Sequence, residues 1–159
     1  MVRLPGTLLE EGSVPGRVAL IEPECGAELV LSSFRQRCGL VLCFLHPACQ
    51  DCRSFAAQLA ALEDDIAWAD ARAWAIVERP DELALPVLLD PNNAARRVLV
   101  GKENEDPVIV VFDRYGAASA SFPVSAHVFP AARWIAETVI HLATKCEECG
   151  VPHWPDEAN

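Results

Sequence analysis

Residues 43–55, with the sequence CFLHPACQDCRSF, place two thiols three residues apart where the chain changes its pattern. The preceding run, GLVLCFL at residues 39–45, is continuously apolar between a glycine and a proline, which is typical of a strand buried on both faces. From Cys52 onward, apolar residues recur at spacings of four, three and four, which predicts one stripe of a helix. The residues of that stripe are Phe55, Leu59, Leu62 and Ile66. We therefore expect Cys49 and Cys52 at a strand-to-helix junction.

Strand patterns alternate with helical ones along the rest of the chain. Strands are predicted at residues 17–21, 28–31, 71–78, 87–89, 108–113 and 117–122, and the last two form a hairpin. Short helical segments are predicted at residues 32–35, 80–85 and 93–99, and a final helix begins at Pro130. This order predicts an α/β fold in which helices cover both faces of a central mixed sheet, with an N-terminal strand pair.

The composition is that of a folded protein with an acidic surface. The 159 residues are 52% hydrophobic, and 13 basic against 23 acidic side chains give a formal net charge of −10. Such a surface repels phosphate backbones and anionic lipids, so nucleic acid and membranes are poor candidates for partners. The chain shows neither the apolar core of a signal peptide nor a membrane-spanning run, so we expect a cytoplasmic protein. We expect one domain over residues 1–145 and a tail over residues 146–159.

Seven cysteines are many for such a chain, and the number is odd. In a reducing compartment this argues against a framework of structural disulfides and for metal or redox use of some thiols. Cys25, Cys38 and Cys43 are isolated, and we expect them to pack as small hydrophobic residues. Two pairs remain, CQDC at residues 49–52 and CEEC at residues 146–149.

A CxxC pair at the start of a helix has a clear chemical use. The first helical turn offers unpaired backbone N–H groups and the positive end of the helix dipole, which stabilise a thiolate. We therefore expect Cys49 to be the nucleophile that attacks disulfides, and Cys52, one turn on and less exposed, to resolve the mixed disulfide. Half of a zinc site, or two unrelated thiols, are the alternatives. The strand before and the amphipathic helix after favour redox chemistry.

The layout resembles the thioredoxin superfamily, and its N-terminal strand pair makes it most similar to the redoxin branch, which contains alkyl hydroperoxide reductase and thiol-specific antioxidant domains. The resemblance extends from about Glu28 to Leu142 and is carried by ELVLSSFR, GLVLCFLHPACQDC, LPVLLDPNNAARR and DPVIVVFDRYG. It implies a thioredoxin-like fold, a disulfide substrate on a protein or small molecule, a dithiol electron donor and no organic cofactor. It also implies that Pro107, through a cis bond after Asp106, shapes the edge where substrate docks.

The chain departs from its relatives at several positions. Peroxide-reducing relatives have the pattern PxxxTxxC. If Pro47 is the proline of this pattern, Asp51 stands at the threonine position, four residues on, and Ser54 stands at the cysteine position, seven residues on. The resemblance therefore argues against peroxidase activity. Thioredoxins carry Trp before the first cysteine, where this chain has Ala48. They also carry a buried acid six residues before that cysteine, where this chain has Cys43, so the proton relay is expected to be absent or replaced by water.

Two polar residues flank the pair. Asp51 places a carboxylate beside the thiols, so we expect it to oppose the helix dipole and raise the pKa of Cys49. A less stable thiolate disfavours the reduced form, so the pair is expected to be a reductant. His46 is either a proton donor or acceptor for Cys49 or an exposed residue fixed by Pro47. Two other histidines, His127 and His141, are expected to be structural.

The tail sequence KCEECGVPHW follows the final helix. A helix C-terminus and two glutamates raise thiol pKa values, so Cys146 and Cys149 are expected to be poor nucleophiles. They form a second dithiol that exchanges with the first pair, a metal knuckle, or a passive surface pair. In a zinc site His153 would be the third ligand, and the fourth would come from Cys25, Cys38 or a second subunit.

Three functions follow from the sequence. The first is a thiol–disulfide oxidoreductase that uses Cys49 and Cys52. The second is an antioxidant thiol peroxidase in which one of these thiols meets peroxide directly. The third is a non-catalytic metal-binding module built on the same fold.

Overall fold

The computed structural model of the chain describes residues 2–101 and 105–144. The predictions for Cys146, Cys149 and His153, and the boundary between domain and tail, lie outside the described residues. Within these two segments, no helix has both the length and the apolar character needed to cross a bilayer.

The sheet has seven strands in the order β2-β1-β5-β4-β3-β6-β7. They are β1 (Ala19–Ile21), β2 (Glu28–Val30), β3 (Gly39–Phe44), β4 (Ala71–Val77), β5 (Val87–Leu89), β6 (Val108–Phe112) and β7 (Ala118–Pro123). Strands β3, β4 and β5 run parallel, whereas β1 pairs antiparallel with β5, and β6 pairs antiparallel with β3. The sheet is therefore mixed, as the sequence predicts.

Four α-helices cover the two faces of the sheet: α1 (Gln50–Ala60), α2 (Glu63–Trp68), α3 (Ala94–Leu99) and α4 (Ala132–Thr144). Alternate residues of β3 point into two separate apolar cores, because successive side chains of a strand face opposite ways. Val41 and Cys43 belong to the core that α1, α2 and α4 cover, and Leu40 and Leu42 belong to the core that α3 and the N-terminal segment cover. Burial on both faces explains why the GLVLCFL run is apolar throughout.

Two predicted helical segments differ from the structure. The stripe from Phe55 to Ile66 is divided between α1 and α2, because the Leu62 N–H bonds the Leu59 carbonyl and tightens the chain after Ala60. Residues 80–85 form no helix. There the Asp81 carboxylate accepts hydrogen bonds from the backbone N–H of Glu82 and from the Arg53 guanidinium. The bond to the backbone N–H offers this segment an alternative to helical hydrogen bonding.

Candidate active site

The first thiol lies where the buried strand β3 gives way to α1. Cys49 is the N-cap residue of α1, with the extended dihedral angles φ −84° and ψ 124°. Its N–H bonds the His46 carbonyl at 2.9 Å, and its own carbonyl accepts the Arg53 N–H at 3.1 Å. This half-buried thiol therefore lies at the positive end of the helix, at the junction that the sequence predicts.

The second thiol lies directly behind the first. Cys52 is fully buried in the first turn of α1, and its Sγ accepts the His46 backbone N–H at 3.4 Å. All five cysteines in the described part of the chain are free thiols. The structure is thus that of the reduced pair, with one sulfur accessible and the other enclosed.

The surroundings separate the pKa values of the two thiols. The backbone N–H of Cys52 lowers the pKa of Cys49, against the effect of partial burial, and the Cys52 thiol, His127 and the Asp51 backbone N–H lower it further. Burial raises the pKa of Cys52 to about 11, with only partial relief from the His46 backbone N–H. The accessible sulfur is therefore the better nucleophile, and the buried one holds its proton.

The net pKa shift of Cys49 is downward, so the rise expected from Asp51 does not decide it. The pKa of Cys49 is lowered because backbone donors, including the N–H of Asp51 itself, surround its sulfur. The Asp51 carboxylate is more than half exposed, and its charge raises the pKa of Cys52 instead.

His46 contacts the thiols through its backbone rather than through its ring. The Nε2 atom of the ring lies 2.5 Å from the Glu105 carbonyl oxygen, on the side of the junction away from α1. Of the two alternatives for His46, this position favours an exposed residue over a proton partner for Cys49. The N–H and carbonyl of His46 instead position Cys52 and Cys49, respectively.

The imidazole at the site comes from His127, which the sequence analysis expected to be structural. Its Nδ1 lies 3.9 Å from the Cys49 Sγ and 3.6 Å from Asp51 Oδ2. The side chain is 74% exposed, so it covers the thiol from the solvent side. The predicted hairpin of β6 and β7 was a signal that His127 could lie near Cys49. Because β6 pairs antiparallel with β3, the end of β7 returns to the edge of the sheet where Cys49 lies.

A short turn holds His127 in place. Ser125 and Val128 pair across it, and both central residues, Ala126 and His127, have positive φ values of 51° and 61°. Two positive φ values are typical of a type I′ turn and are unfavourable for residues other than glycine and asparagine. Such backbone strain persists only where the surroundings impose it, and it is common at functional sites.

Pro107 lies immediately before β6 at this same edge, as predicted. The predicted cis bond is wrong, because the Asp106–Pro107 bond is trans like every other described peptide bond. The Arg96 guanidinium donates to the Asp106 carbonyl and holds it towards α3, and the trans isomer is the more stable one for most X–Pro bonds. The Pro107 carbonyl accepts the N–H of the buried Val124 at 3.0 Å and so anchors the start of the His127 turn.

Beneath the site lies Cys43, at the position where thioredoxins carry a buried acid. It is fully buried in β3, and burial raises the pKa of its thiol well above the ordinary value. Cys43 is therefore unsuited to accept a proton from Cys52. Asp51 and His127 are titratable residues that lie close to Cys49 on the exposed side of the thiol. Together with Cys49 they also supply three donor atoms of the kind that bind metal ions.

Comparison with known proteins identifies the fold. No family profile and no curated protein matches the chain in sequence. Among solved structures, Mycobacterium tuberculosis AhpC is similar with a TM-score of 0.71 and 14% identity over 89% of this chain and 98% of that chain. The peroxidoxin BcpB of the same organism is similar with a TM-score of 0.69 and 16% identity over 87% of this chain and 99% of that chain. A third similar structure is a Chlorobium tepidum protein provisionally classed as the thiol:disulfide interchange protein DsbE. Its TM-score is 0.65, with 19% identity over 85% of this chain and 98% of that chain. The chain thus has the predicted thioredoxin-like fold.

Proposed function

We propose that the chain is a thiol–disulfide oxidoreductase that reduces disulfides through Cys49 and Cys52. One observation carries the proposal. The accessible Cys49 has a lowered pKa at a helix N-terminus, and it neighbours a buried thiol, Cys52, whose pKa is raised. A nucleophile and a protected resolving thiol need these properties.

The reaction balances as two exchange steps. The Cys49 thiolate attacks one sulfur of a substrate disulfide, forms a mixed disulfide and releases the other sulfur as a thiolate. Cys52 then attacks the Cys49 sulfur, its proton passes to the departing substrate thiolate, and the Cys49–Cys52 disulfide forms. The substrate has gained two electrons, and a dithiol donor of the cell returns two electrons to the pair.

His127 is the proton acceptor for Cys49 in this mechanism. Its Nδ1 faces the thiol at 3.9 Å, and a hydrogen bond from an imidazolium stabilises the thiolate. Asp51 Oδ2 lies 3.6 Å from the same nitrogen, on the exposed side of the thiol. A buried acid below the pair is then unnecessary, because proton exchange takes place on the exposed side.

The surface around Cys49 suits a protein or peptide disulfide. Val128, next to His127, is 71% exposed, and a groove of about 850 Å³ that includes Pro47 and Ala48 in its wall runs along the other side. Both basic and acidic residues line this groove, among them Arg79, Arg97 and Asp81, so it offers polar groups of both charges to a substrate chain. Reducing chemistry of this kind, with dithiol donors, fits the cytoplasm.

Peroxide reduction is the second candidate, favoured by the likeness of the fold to AhpC and BcpB. In that reaction the Cys49 thiolate attacks one peroxide oxygen and becomes a sulfenic acid as water or an alcohol leaves. Cys52 then condenses with it, releases water and forms the same disulfide. Cys52 cannot be the first thiol in this scheme, because it is fully buried.

The two candidates are separated by one pair of assays on the purified protein. With dithiothreitol as donor, we expect rapid reduction of insulin disulfides and slow consumption of hydrogen peroxide. Both activities should vanish in Cys49→Ser, whereas Cys25→Ser is the matched control, since Cys25 is exposed in the turn between β1 and β2. Fast peroxide consumption without insulin reduction would favour the peroxidase, and neither activity in the reduced protein would refute both.

A further inference from the structure

We propose that Cys49, Asp51 and His127 form a binding site for a zinc ion. The thiolate sulfur, a carboxylate oxygen and an imidazole nitrogen all lie within 4.8 Å of one another. These three atom types are the ligands that zinc uses in proteins. The site differs from the predicted metal knuckle of the tail, with which it shares no residue.

The spacing of the three atoms already approaches that of a zinc complex. With bonds of about 2.3 Å to sulfur and about 2.0–2.1 Å to nitrogen and oxygen, tetrahedral angles place sulfur and nitrogen about 3.6 Å apart, and nitrogen and oxygen about 3.4 Å apart. In the structure these separations are 3.9 Å and 3.6 Å. The sulfur and the carboxylate oxygen lie within 4.8 Å of each other, so zinc binding would draw the exposed Asp51 and His127 side chains closer to the thiol.

The backbone aims the ligands at a common point. Residues two apart on a helix normally face different ways, but Cys49 is an N-cap residue in extended conformation, so its sulfur and the Asp51 carboxylate reach the same imidazole. The strained turn fixes His127 from the opposite side. Two potential anions thus converge on one ring nitrogen, an arrangement that a bound cation stabilises, and the net charge of −10 favours cations generally.

The chemistry of the donors selects the metal. One soft thiolate, one imidazole and one carboxylate match zinc, whereas magnesium and calcium prefer oxygen ligands alone. Three protein ligands leave the fourth position to water. Zinc would occupy the sulfur that attacks disulfides, and formation of the Cys49–Cys52 disulfide would remove that ligand. On the proposed function, therefore, zinc inhibits the reduced enzyme and oxidation releases the metal.

The test measures binding without turnover, in the reduced full-length chain carrying Cys146→Ser and Cys149→Ser. These changes remove the tail thiols as competing ligands. Titration with cobalt should give one equivalent with thiolate-to-cobalt charge-transfer absorbance, and displacement by zinc gives the zinc affinity. We expect the band to vanish on Cys49→Ser, and the zinc affinity to fall about tenfold or more on His127→Gln or Asp51→Asn.

Matched controls are His141→Gln and Asp64→Asn, two exposed residues on α4 and α2 that should leave the affinity unchanged. Zinc should also protect Cys49 from alkylation in the tail variant and fail to do so when His127→Gln is added. Absence of the cobalt band, or a band that His127→Gln and Asp51→Asn leave intact, would overturn the site. Zinc binding by a protein without disulfide reductase activity would instead refute the proposed function and leave the site standing.

Discussion

Phe129 stacks on Phe55, with ring centroids 5.0 Å apart and an angle of 23° between the rings. The contact joins the end of the turn that carries His127 to the helix that begins next to Cys49. An imidazole from a distant part of the sequence is thereby fixed over the thiol. The position of His127 thus depends on an aromatic contact and on the Pro107–Val124 hydrogen bond, which flank the turn.

Removing this stack should loosen the site as well as the fold. We expect Phe129→Ala to lower the free energy of unfolding by about 2 kcal/mol, because a half-buried ring and its aromatic partner contact are lost. We also expect it to raise the pKa of Cys49, since His127 is no longer held. Urea unfolding and thiolate absorbance measure the two effects. Phe129→Leu keeps most of the apolar contact and should change both the free energy of unfolding and the pKa of Cys49 less. If Phe129→Ala lowers the stability strongly but leaves the thiolate titration unchanged, the stack does not hold His127 at the thiol.

His127 should act directly on the nucleophile. We expect His127→Gln to raise the pKa of Cys49, because one of the hydrogen bonds that stabilise its thiolate is lost. Disulfide reduction near neutral pH should slow accordingly and recover as the pH rises. His141→Gln on the exposed face of α4 is the matched control. Equal thiolate titrations for the two variants would exclude His127 from the mechanism.

The two cysteines should fail in different ways. In Cys52→Ser the attack by Cys49 remains but resolution is lost, so a mixed disulfide between Cys49 and the substrate should accumulate. In Cys49→Ser no adduct should form at Cys52, because this buried thiol is inaccessible and protonated at neutral pH. Mass spectrometry after incubation with oxidised glutathione distinguishes the two. An adduct on Cys52 in Cys49→Ser would reverse the assigned roles.

A buried carboxylate caps α3 on the other side of the sheet. Asp90 is 2% exposed and accepts the backbone N–H groups of Ala95 and Arg96 at 2.7 Å and 2.9 Å. We expect Asp90→Ala to lower the free energy of unfolding by about 1–3 kcal/mol, since two buried donors lose their acceptor. Asp90→Asn, which keeps one carbonyl acceptor, should lose less. Equal stabilities of wild type and Asp90→Ala in urea would show that water replaces the carboxylate.

The local part of the site could be predicted from the sequence. The apolar run at residues 39–45 requires a strand buried on both faces, and the stripe that begins at Phe55 requires a helix, so the position of Cys49 follows from neighbouring residues alone. The same holds for the hairpin of β6 and β7, whose β-prone and turn residues adjoin one another.

The parts that the sequence analysis missed depend on contacts between distant residues. His127 lies 78 residues from Cys49, and the two meet only because β6 pairs with β3 in the antiparallel sense. The bond before Pro107 is trans, and the Asp106 carbonyl accepts a hydrogen bond from Arg96, ten residues earlier in the sequence. The direction of the pKa shift at Cys49 is a balance between burial, which raises the pKa, and several hydrogen-bond donors, which lower it, and a sequence pattern does not give their distances.

The pH dependence of Cys49 alkylation tests the central claim most directly. Wild-type protein is treated briefly with iodoacetamide across a pH series, and each cysteine is quantified by mass spectrometry. We predict that Cys49 reacts with a midpoint below the ordinary thiol value of 9.0, whereas Cys52 reacts only as the pH approaches about 11. A Cys49 midpoint at or above 9.0, or equal profiles for the two thiols, would contradict the account.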